Sequence, residues 1–176
     1  MTPRPFHHAA LAVAVFGLVF APRGAVAQSE GQDCPIGAVV AADRLTLRCP
    51  AGLVITLESG ATLTLIDGDG NGAPDSAELL GKAVLIESPE GGKGFEVVTP
   101  QAIAAVRGTR WAVDVQNGKT SVFVARGRVD VRRPTQDAGV TLGPGEGVDV
   151  ADSAAALEVR RWPTARVAAL LARLGQ

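Results

Sequence analysis

Short segments in which apolar and polar residues alternate run through most of this 176-residue chain, and they constrain its fold more than any other feature. Segments such as TLTLI and WAVDV place an apolar residue at every second position, and glycine-containing turns separate many of them. Because successive side chains of a strand point to opposite faces, a period of two indicates half-buried strands. Asn117-Gly118 lies between two such segments and is a strong hairpin signal, since both turn positions need positive φ. The sequence therefore predicts an all-β fold of about ten short antiparallel strands.

Residues 163–175, PTARVAALLARLG, predict a C-terminal α-helix. Apolar residues with the spacing of one helix face recur at Val167, Leu170, Leu171 and Leu174. We expect Thr164 to cap the start of the helix and Gly175 to end it, with Trp162 anchoring the chain just before it. Two placements stay open: the helix docks on the protein's own sheet, or it lies in the groove of a partner.

The first 27 residues have the layout of a secretory signal peptide. Arg4 precedes an apolar run of 12 residues from Ala9 to Phe20, and the small-residue pattern Ala25-Val26-Ala27 follows. A membrane anchor is the alternative, but a bilayer span needs about 20 apolar residues. We therefore expect cleavage, a mature chain without a transmembrane helix, and a bacterial protein that is periplasmic or secreted.

Cys34 and Cys49 are the two cysteines of the chain. Export to an oxidising compartment predicts that they form a disulfide, and a metal-binding pair is the rival interpretation. The expected organisation is a signal peptide at 1–27, an N-terminal segment with the disulfide at 28–50, a β domain at 51–150, and a linker with the amphipathic helix at 151–176.

The mature chain would contain no histidine, because His7 and His8 both lie in the predicted signal peptide. This argues against Ser-His-Asp and Cys-His nucleophiles and against histidine-ligated metals. Lys82 and Lys93 are not in a Ser-x-x-Lys pattern, so we predict a non-enzymatic protein, with carboxylate-based catalysis as the remaining enzymatic alternative.

The net charge and its distribution along the chain restrict the class of partner. Residues 28–176 carry 18 acidic and 15 basic side chains, which together with export argues against nucleic acid as a partner. Acidic residues dominate from Glu58 to Pro100, and basic residues dominate from Ala104 to Thr135. These stretches either form acidic and basic faces that favour a charged partner, or simply complement each other.

The segment DGDGNGAPDSAE, Asp67–Glu78, has the spacing of a calcium-binding loop with glycine at its sixth position. Its candidate ligands are the side chains of Asp67, Asp69, Asn71, Asp75 and Glu78 and the carbonyl of Ala73. A solvated acidic turn is the alternative, because Pro74 occupies the eighth position and a strand pattern, not a helix, precedes the loop. Calcium is thus a possible cofactor, and no other is predicted.

Three ordered elements in the second half of the chain carry a family resemblance. The first is matched by Thr99, Pro100, Ala102, Ala105, Val106, Arg107, Gly108, Thr109, Trp111 and Val113. The second is matched by Val124, Gly127, Val129 and Val131, and the third by Leu142, Gly145 and Glu146. With these motifs the chain resembles the FecR domain family from about Ala51 to Val150.

The resemblance implies an extracytoplasmic domain of stacked short strands, solenoid-like or sandwich-like. In the regulators that name the family, such a domain senses a signal from an outer-membrane receptor and passes it through a membrane helix to a cytoplasmic anti-sigma segment. We therefore expect an exported, non-enzymatic binding or sensing module whose partner is an envelope protein or polymer. The alternatives are a calcium-stabilised structural module of the envelope and the periplasmic part of a transmembrane signalling relay.

Arg107-Gly108-Thr109 interrupts an apolar run, and we interpret it as an architectural corner within a strand. Gly108 would let neighbouring backbone approach closely, and the Thr109 hydroxyl would satisfy a backbone group freed by the bend. An arginine that faces a ligand is the alternative, because the Arg107 guanidinium can hold a carboxylate with its rigid fork.

Overall fold

The computed structural model describes Met1 and residues 32–176, so the predicted signal peptide lies outside the described residues apart from Met1. The described part contains fourteen strands and one α-helix, which confirms the predicted all-β fold with a C-terminal helix. The strands are β1 (Gln32–Asp33), β2 (Val39–Ala42), β3 (Leu45–Arg48), β4 (Val54–Leu57), β5 (Ala61–Ile66), β6 (Ser76–Glu87), β7 (Phe95–Val98), β8 (Ile103–Val106), β9 (Arg110–Gln116), β10 (Lys119–Arg126), β11 (Val129–Arg132), β12 (Gly139–Leu142), β13 (Glu146–Ala151) and β14 (Arg160–Arg161). The helix is α1 (Thr164–Arg173), and a 3-10 turn spans Pro50–Gly52.

The strands form two layers that share one long strand. The helix-side sheet has the order β1-β3-β4-β6-β9-β10-β13-β14, and the open sheet has the order β2-β5-β6-β7-β8-β11-β12. Residues 76–81 of β6 pair in the open sheet, and residues 82–87 pair in the helix-side sheet. The strand changes layers at Lys82, where a φ of 68° turns the backbone. Among the described strands, pairing is antiparallel except for β1–β3 and β6–β7, which are parallel.

The core lies between the two sheets and follows the predicted alternation. In β9, Trp111, Val113 and Val115 all point into the core, and Trp111 is completely buried. In β5, Leu63 and Leu65 do the same. Burying a large apolar side chain contributes about 1.5–3 kcal/mol, so this shared interior holds the two sheets together.

Helix α1 docks on the outer face of the helix-side sheet, which settles the placement that the sequence left open. Its apolar residues pack with outward-facing strand residues in a second cluster formed by Ala83, Leu85, Ala112, Phe123, Trp162, Leu170 and Leu174. Trp162 stacks on Phe123 with the ring centroids 5.2 Å apart, so the predicted anchor is confirmed. These contacts cover the centre of that face.

The structure confirms the predicted C-terminal end of α1 but not the predicted N-terminal cap. Thr164 does not cap the helix: it is the first helical residue, and the capping position belongs to Pro163, whose carbonyl accepts the N–H groups of Arg166 and Val167. At the other end Gly175 has a φ of 77° and donates to the Ala172 carbonyl, while Gln176 donates to Leu171. This pair of bonds is a Schellman motif and confirms the predicted stop.

The predicted disulfide between Cys34 and Cys49 is present, with an S–S distance of 2.00 Å. It joins the loop after β1 to the end of β3, while β2 of the same N-terminal segment pairs with β5 in the open sheet. The segment therefore contributes strands to both sheets. Within the described residues no helix has the length and apolar character needed to cross a membrane.

Candidate functional site

The Arg107-Gly108-Thr109 corner lies between two strands and not within one, which corrects the sequence-based expectation. Strand β8 ends at Val106 and β9 begins at Arg110, so the three residues form the connection. Gly108 has a φ of 65°, and a Cβ built there would stand 2.9 Å from the Glu90 Cα. The close backbone approach expected at Gly108 is therefore observed.

Thr109 does not have the predicted role. Its hydroxyl is buried and has no hydrogen-bond partner among the described residues. The freed backbone groups are instead satisfied by Ser88, whose N–H donates to the Thr109 carbonyl at 2.9 Å and whose Oγ accepts the Thr109 N–H at 3.1 Å. The methyl group of Thr109 packs where a side chain at Gly127 would lie. Thr109 is thus a packing residue of the corner.

The other motif residues also build structure. Thr99 closes the turn that contains Pro100: its Oγ1 accepts the Ala102 N–H at 2.9 Å, and its own N–H donates to the Ala102 carbonyl at 2.8 Å. The Thr99 hydroxyl also lies 2.8 Å from that of Thr120, which donates to Gln101 at 3.0 Å. This buried polar network holds the β7–β8 connection against β10, and Gln101 is a member that the sequence motif did not identify.

Three more motif positions are fixed by packing. Val106 and Trp111 are core residues, and Gly145 lies against the side chain of Arg161, which a Cβ at that position would meet. The family motif as a whole therefore describes how the two sheets are joined. Arg107 is different, because its side chain is exposed.

The acidic loop brings together part of the predicted calcium ligand set. Asp67, Asp69 and Asp75 each present a carboxylate oxygen, and these oxygens lie within 4.8 Å of one another. Glu78 lies outside this cluster, because it is already two residues into β6, with an exposed side chain. Asn71 and Ala73 contact each other, the Ala73 N–H donating to Asn71 Oδ1 at 3.1 Å.

The same carboxylates also serve the loop itself. Asp67 accepts the N–H groups of Asn71 and Gly72 at 3.1 and 2.8 Å. Lys93 lies 3.1 Å from Asp69 and, mainly through this hydrogen bond, lowers the pKa of that carboxyl. Calcium binding to this loop stays a prediction. The three carboxylates lie close enough together to share a cation. Lys93, however, already places one positive charge beside them.

The outer face of the open sheet, here called the open face, is not covered by α1, which packs on the helix-side sheet. Its side chains form cross-strand rows: Glu96 of β7 is opposite Ala105 of β8, which is opposite Asp130 of β11, which is opposite Thr141 of β12. Because Ala105 is small, the surface is depressed at this point of β8, between the longer side chains of Glu96 and Asp130.

Two adjoining cavities follow this depression and share Ala105 and Asp130. One has a volume of about 470 Å3 and is bordered by Arg107, Arg128 and Glu96, with Phe95 beneath them. The other, of about 260 Å3, extends over Ile103, Arg132 and Val140 toward the β12 edge. Together they form a groove that presents both charge signs beside apolar surface, and such a groove is suited to binding a polar partner.

Of the predicted site residues, the groove is bordered by Ala105, Val106 and Arg107 from the family motif and by Asp75 from the acidic loop. Arg128, Glu96 and Asp130 were not predicted as site residues. The only sequence signals were the excess of acidic residues before Pro100, which includes Glu96, and the excess of basic residues after Ala104, which includes Arg128. Their neighbourhood depends on strand pairing, which these signals do not reveal.

Comparison with known proteins identifies relatives of this chain. The family model described as FecR protein matches residues 38–130. Two crystal structures of a proposed anti-sigma factor from Parabacteroides distasonis ATCC 8503, at 1.65 and 2.50 Å resolution, share the fold with TM-scores of 0.61 and 0.62 at 20% identity. The alignments cover 76% of this chain and 64% of theirs, so the chain spans less than two thirds of those proteins. No curated protein matches the chain significantly.

Proposed function

This chain belongs to the FecR protein family, and on that premise we propose that it is an exported, non-enzymatic module that binds an envelope partner on its open face within a sensing or signalling system. The family match over more than half of the chain supports the signalling role. The leader-like residues 1–27 and the Cys34–Cys49 disulfide support an oxidising compartment outside the cytoplasm.

One observation carries the binding assignment: one outer face is covered by another element of the protein and the other is not. Helix α1 and Trp162 cover the centre of the helix-side sheet, whereas no described element covers the groove over Ala105 on the open sheet. A non-enzymatic role is supported by the lack of histidine after residue 8, since the common acid–base and nucleophile pairs need an imidazole.

Two other functions follow from particular features. The convergence of three aspartates in the 67–75 loop favours a calcium-stabilised structural module of the envelope as an alternative. The fold shared with the Parabacteroides protein, which is described as a proposed anti-sigma factor, supports a transmembrane signalling relay as the other. Both alternatives are compatible with an open face that binds.

Site-specific photocrosslinking in producing cells tests the proposed function. A photoreactive amino acid at Ala105 or Thr141 lies in the groove, and one at Ala168, exposed on α1, is the matched control. We expect light-dependent adducts from the two groove positions in the envelope fraction and none from Ala168. Protease sensitivity of the captured mass then separates a protein partner from a glycan. Adducts from Ala168 alone, or a chain confined to the cytoplasm, would contradict the proposal.

A further inference from the structure

Two arginines lie side by side at one end of the groove. The β8–β11 register pairs Val106 with Val129, and extending it by one residue places Arg107 opposite Arg128. Both side chains are exposed, and both border the same cavity of about 470 Å3. Like charges directly opposite each other on neighbouring strands destabilise a sheet. The two arginines by themselves therefore lower the stability of the fold.

The chain contains a second pair of this kind, and there the charge is compensated. Arg110 is opposite Arg126, and the Arg110 Nε lies 2.6 Å from a Glu87 carboxylate oxygen. By contrast, neither Arg107 nor Arg128 makes an ion pair within 4.0 Å or a side-chain hydrogen bond to any residue that the structure describes. Their ten guanidinium N–H donors are therefore free to meet a ligand.

The surroundings keep these donors accessible. Gly94 lies next to the Arg107 side chain, and a Cβ built on Gly94 would stand 3.9 Å from the Arg107 Nε, so no neighbouring side chain covers the guanidinium on that side. Phe95 borders the same cavity, but its side chain belongs to the core between the two sheets. Ala105, the small residue opposite Glu96 and Asp130, leaves space for a ligand beside the arginines.

Carboxylates on the same cavity restrict the chemistry of the ligand. Asp75 already accepts hydrogen bonds from Gly68 and Ser76. Among the described residues, however, the Glu96 carboxylate has no hydrogen-bond or ion-pair partner, and Asp130 accepts only the Thr141 hydroxyl. A compact anionic group flanked by N–H donors satisfies both charge signs, with the anion between the arginines and the donors on Glu96 and Asp130. A polyphosphate offers no donors and would be repelled by these carboxylates.

From this geometry we infer that Arg107 and Arg128 together bind a carboxylate of the partner, and that the partner is an acidic peptide segment whose backbone N–H groups reach Glu96 and Asp130. The inference rests on the proposed function and gives the partner its chemistry. A planar carboxylate matches the guanidinium fork in a bidentate manner. Arg107 then has two roles, one at the corner of the fold and one toward the ligand.

Fluorescence anisotropy with the exported full-length protein tests the inference. The probe is a fluorescein-labelled octapeptide of alternating aspartate and glycine, and its lysine–glycine counterpart is the negative probe. We expect saturable binding of the acidic peptide at low ionic strength, weakened about tenfold by Arg128→Gln and further by the additional Arg107→Gln change, since each substitution removes charge-assisted hydrogen bonds to the ligand. Arg126→Gln, on the same turn but outside the cavity, is the matched control and should bind as the wild type does.

Several outcomes would overturn the inference. These are absence of saturable binding, equal weakening by Arg126→Gln, or tighter competition by inorganic pyrophosphate than by the unlabelled peptide. Because Arg107 also belongs to the corner, thermal melts verify that each variant is folded, and Arg128→Gln alone decides if the Arg107 variant is not. Groove photocrosslinks that persist unchanged in Arg128→Gln would refute the arginine pair while leaving the proposed function intact.

Discussion

Arg173 donates two hydrogen bonds to Asp114, from Nη1 to Oδ2 at 2.7 Å and from Nη2 to Oδ1 at 2.9 Å. The same guanidinium donates to Glu58 through Nε at 2.9 Å and Nη2 at 2.5 Å. Glu58 follows β4 and Asp114 lies in β9, so one residue in the last turn of α1 fastens the helix to two strands of the helix-side sheet. Bidentate, charge-assisted pairs of this kind are the stronger class of protein hydrogen bonds.

Replacing Arg173 with methionine should therefore destabilise the protein by about 1–3 kcal/mol, because it leaves two half-buried carboxylates beside each other without a cation. The value is below that of a fully buried pair, since about 31% of the Arg173 side chain is exposed. Denaturant unfolding measures it. Arg160→Met is the control: Arg160 and its partner Glu158 are both largely exposed, and the change should leave the free energy of unfolding nearly unchanged. Equal effects of the two substitutions would show that α1 does not depend on Arg173.

The cluster of Arg173, Glu58 and Asp114 also makes the stability of the protein depend on pH. The Arg173 hydrogen bonds lower the pKa of Glu58 below its ordinary 4.5, and for Asp114 the bonds from Arg173 and Gln116 outweigh burial and lower the pKa below 3.8. Carboxyls with depressed pKa values contribute their full stabilisation above the unfolded pKa and lose it as the pH falls through the folded pKa. We expect the free energy of unfolding to decrease below about pH 4.5 and the difference between wild type and Arg173→Met to shrink there. A difference that stays constant from pH 7 to pH 3 would refute this assignment.

Much of the fold could be predicted because alternation of large apolar residues fixes which side of a strand is buried. This holds for β5 and β9, and the hairpin at Asn117 was predicted from its turn residues, with a φ of 52° that fits the predicted turn. The pattern fails where the strand residues are small or where β6 switches layers. The segment Ile103–Val106 therefore seemed continuous with the strand after it, and Ser76–Lys82 was partly assigned to the acidic loop.

The candidate site was less accessible to sequence reasoning. Arg107 stood out through its motif, but Arg128 and Glu96 become its neighbours only through the registers of β7, β8 and β11. Those registers depend on turn lengths and on the layer change at Lys82, which the alternation of apolar and polar residues did not indicate although Gly81 directly precedes it. The predicted Thr109 hydrogen bond failed for a related reason, since Ser88 from a distant part of the chain already supplies both bonds.

The corner at Gly108 can be tested against a glycine that differs only in its surroundings. Gly108 and Gly118 have nearly equal φ values, 65° and 68°, but a Cβ on Gly118 meets nothing within 4 Å. Gly118→Ala should therefore cost only the left-handed backbone penalty of about 1–2 kcal/mol. Gly108→Ala should cost about 1–3 kcal/mol more, because the neighbouring backbone must move, and Gly108→Val should prevent folding. Urea unfolding of the two alanine variants provides the comparison, and equal losses would mean that close approach at the corner is unimportant.

Calcium binding to the 67–75 loop is tested by thermal melts with calcium and with a chelator. A cation held by Asp67, Asp69 and Asp75 would stabilise the folded state by about 2.7 kcal/mol at a hundred times its Kd, which corresponds to a rise in Tm of about 5–10 °C. Asp67→Asn should abolish the rise. Glu78→Gln should leave it unchanged, because Glu78 lies in β6 outside the cluster, whereas a full twelve-residue calcium loop would need it. An unchanged midpoint, together with native mass spectra that show no bound calcium, would establish the loop as a solvated acidic turn that Lys93 already neutralises in part.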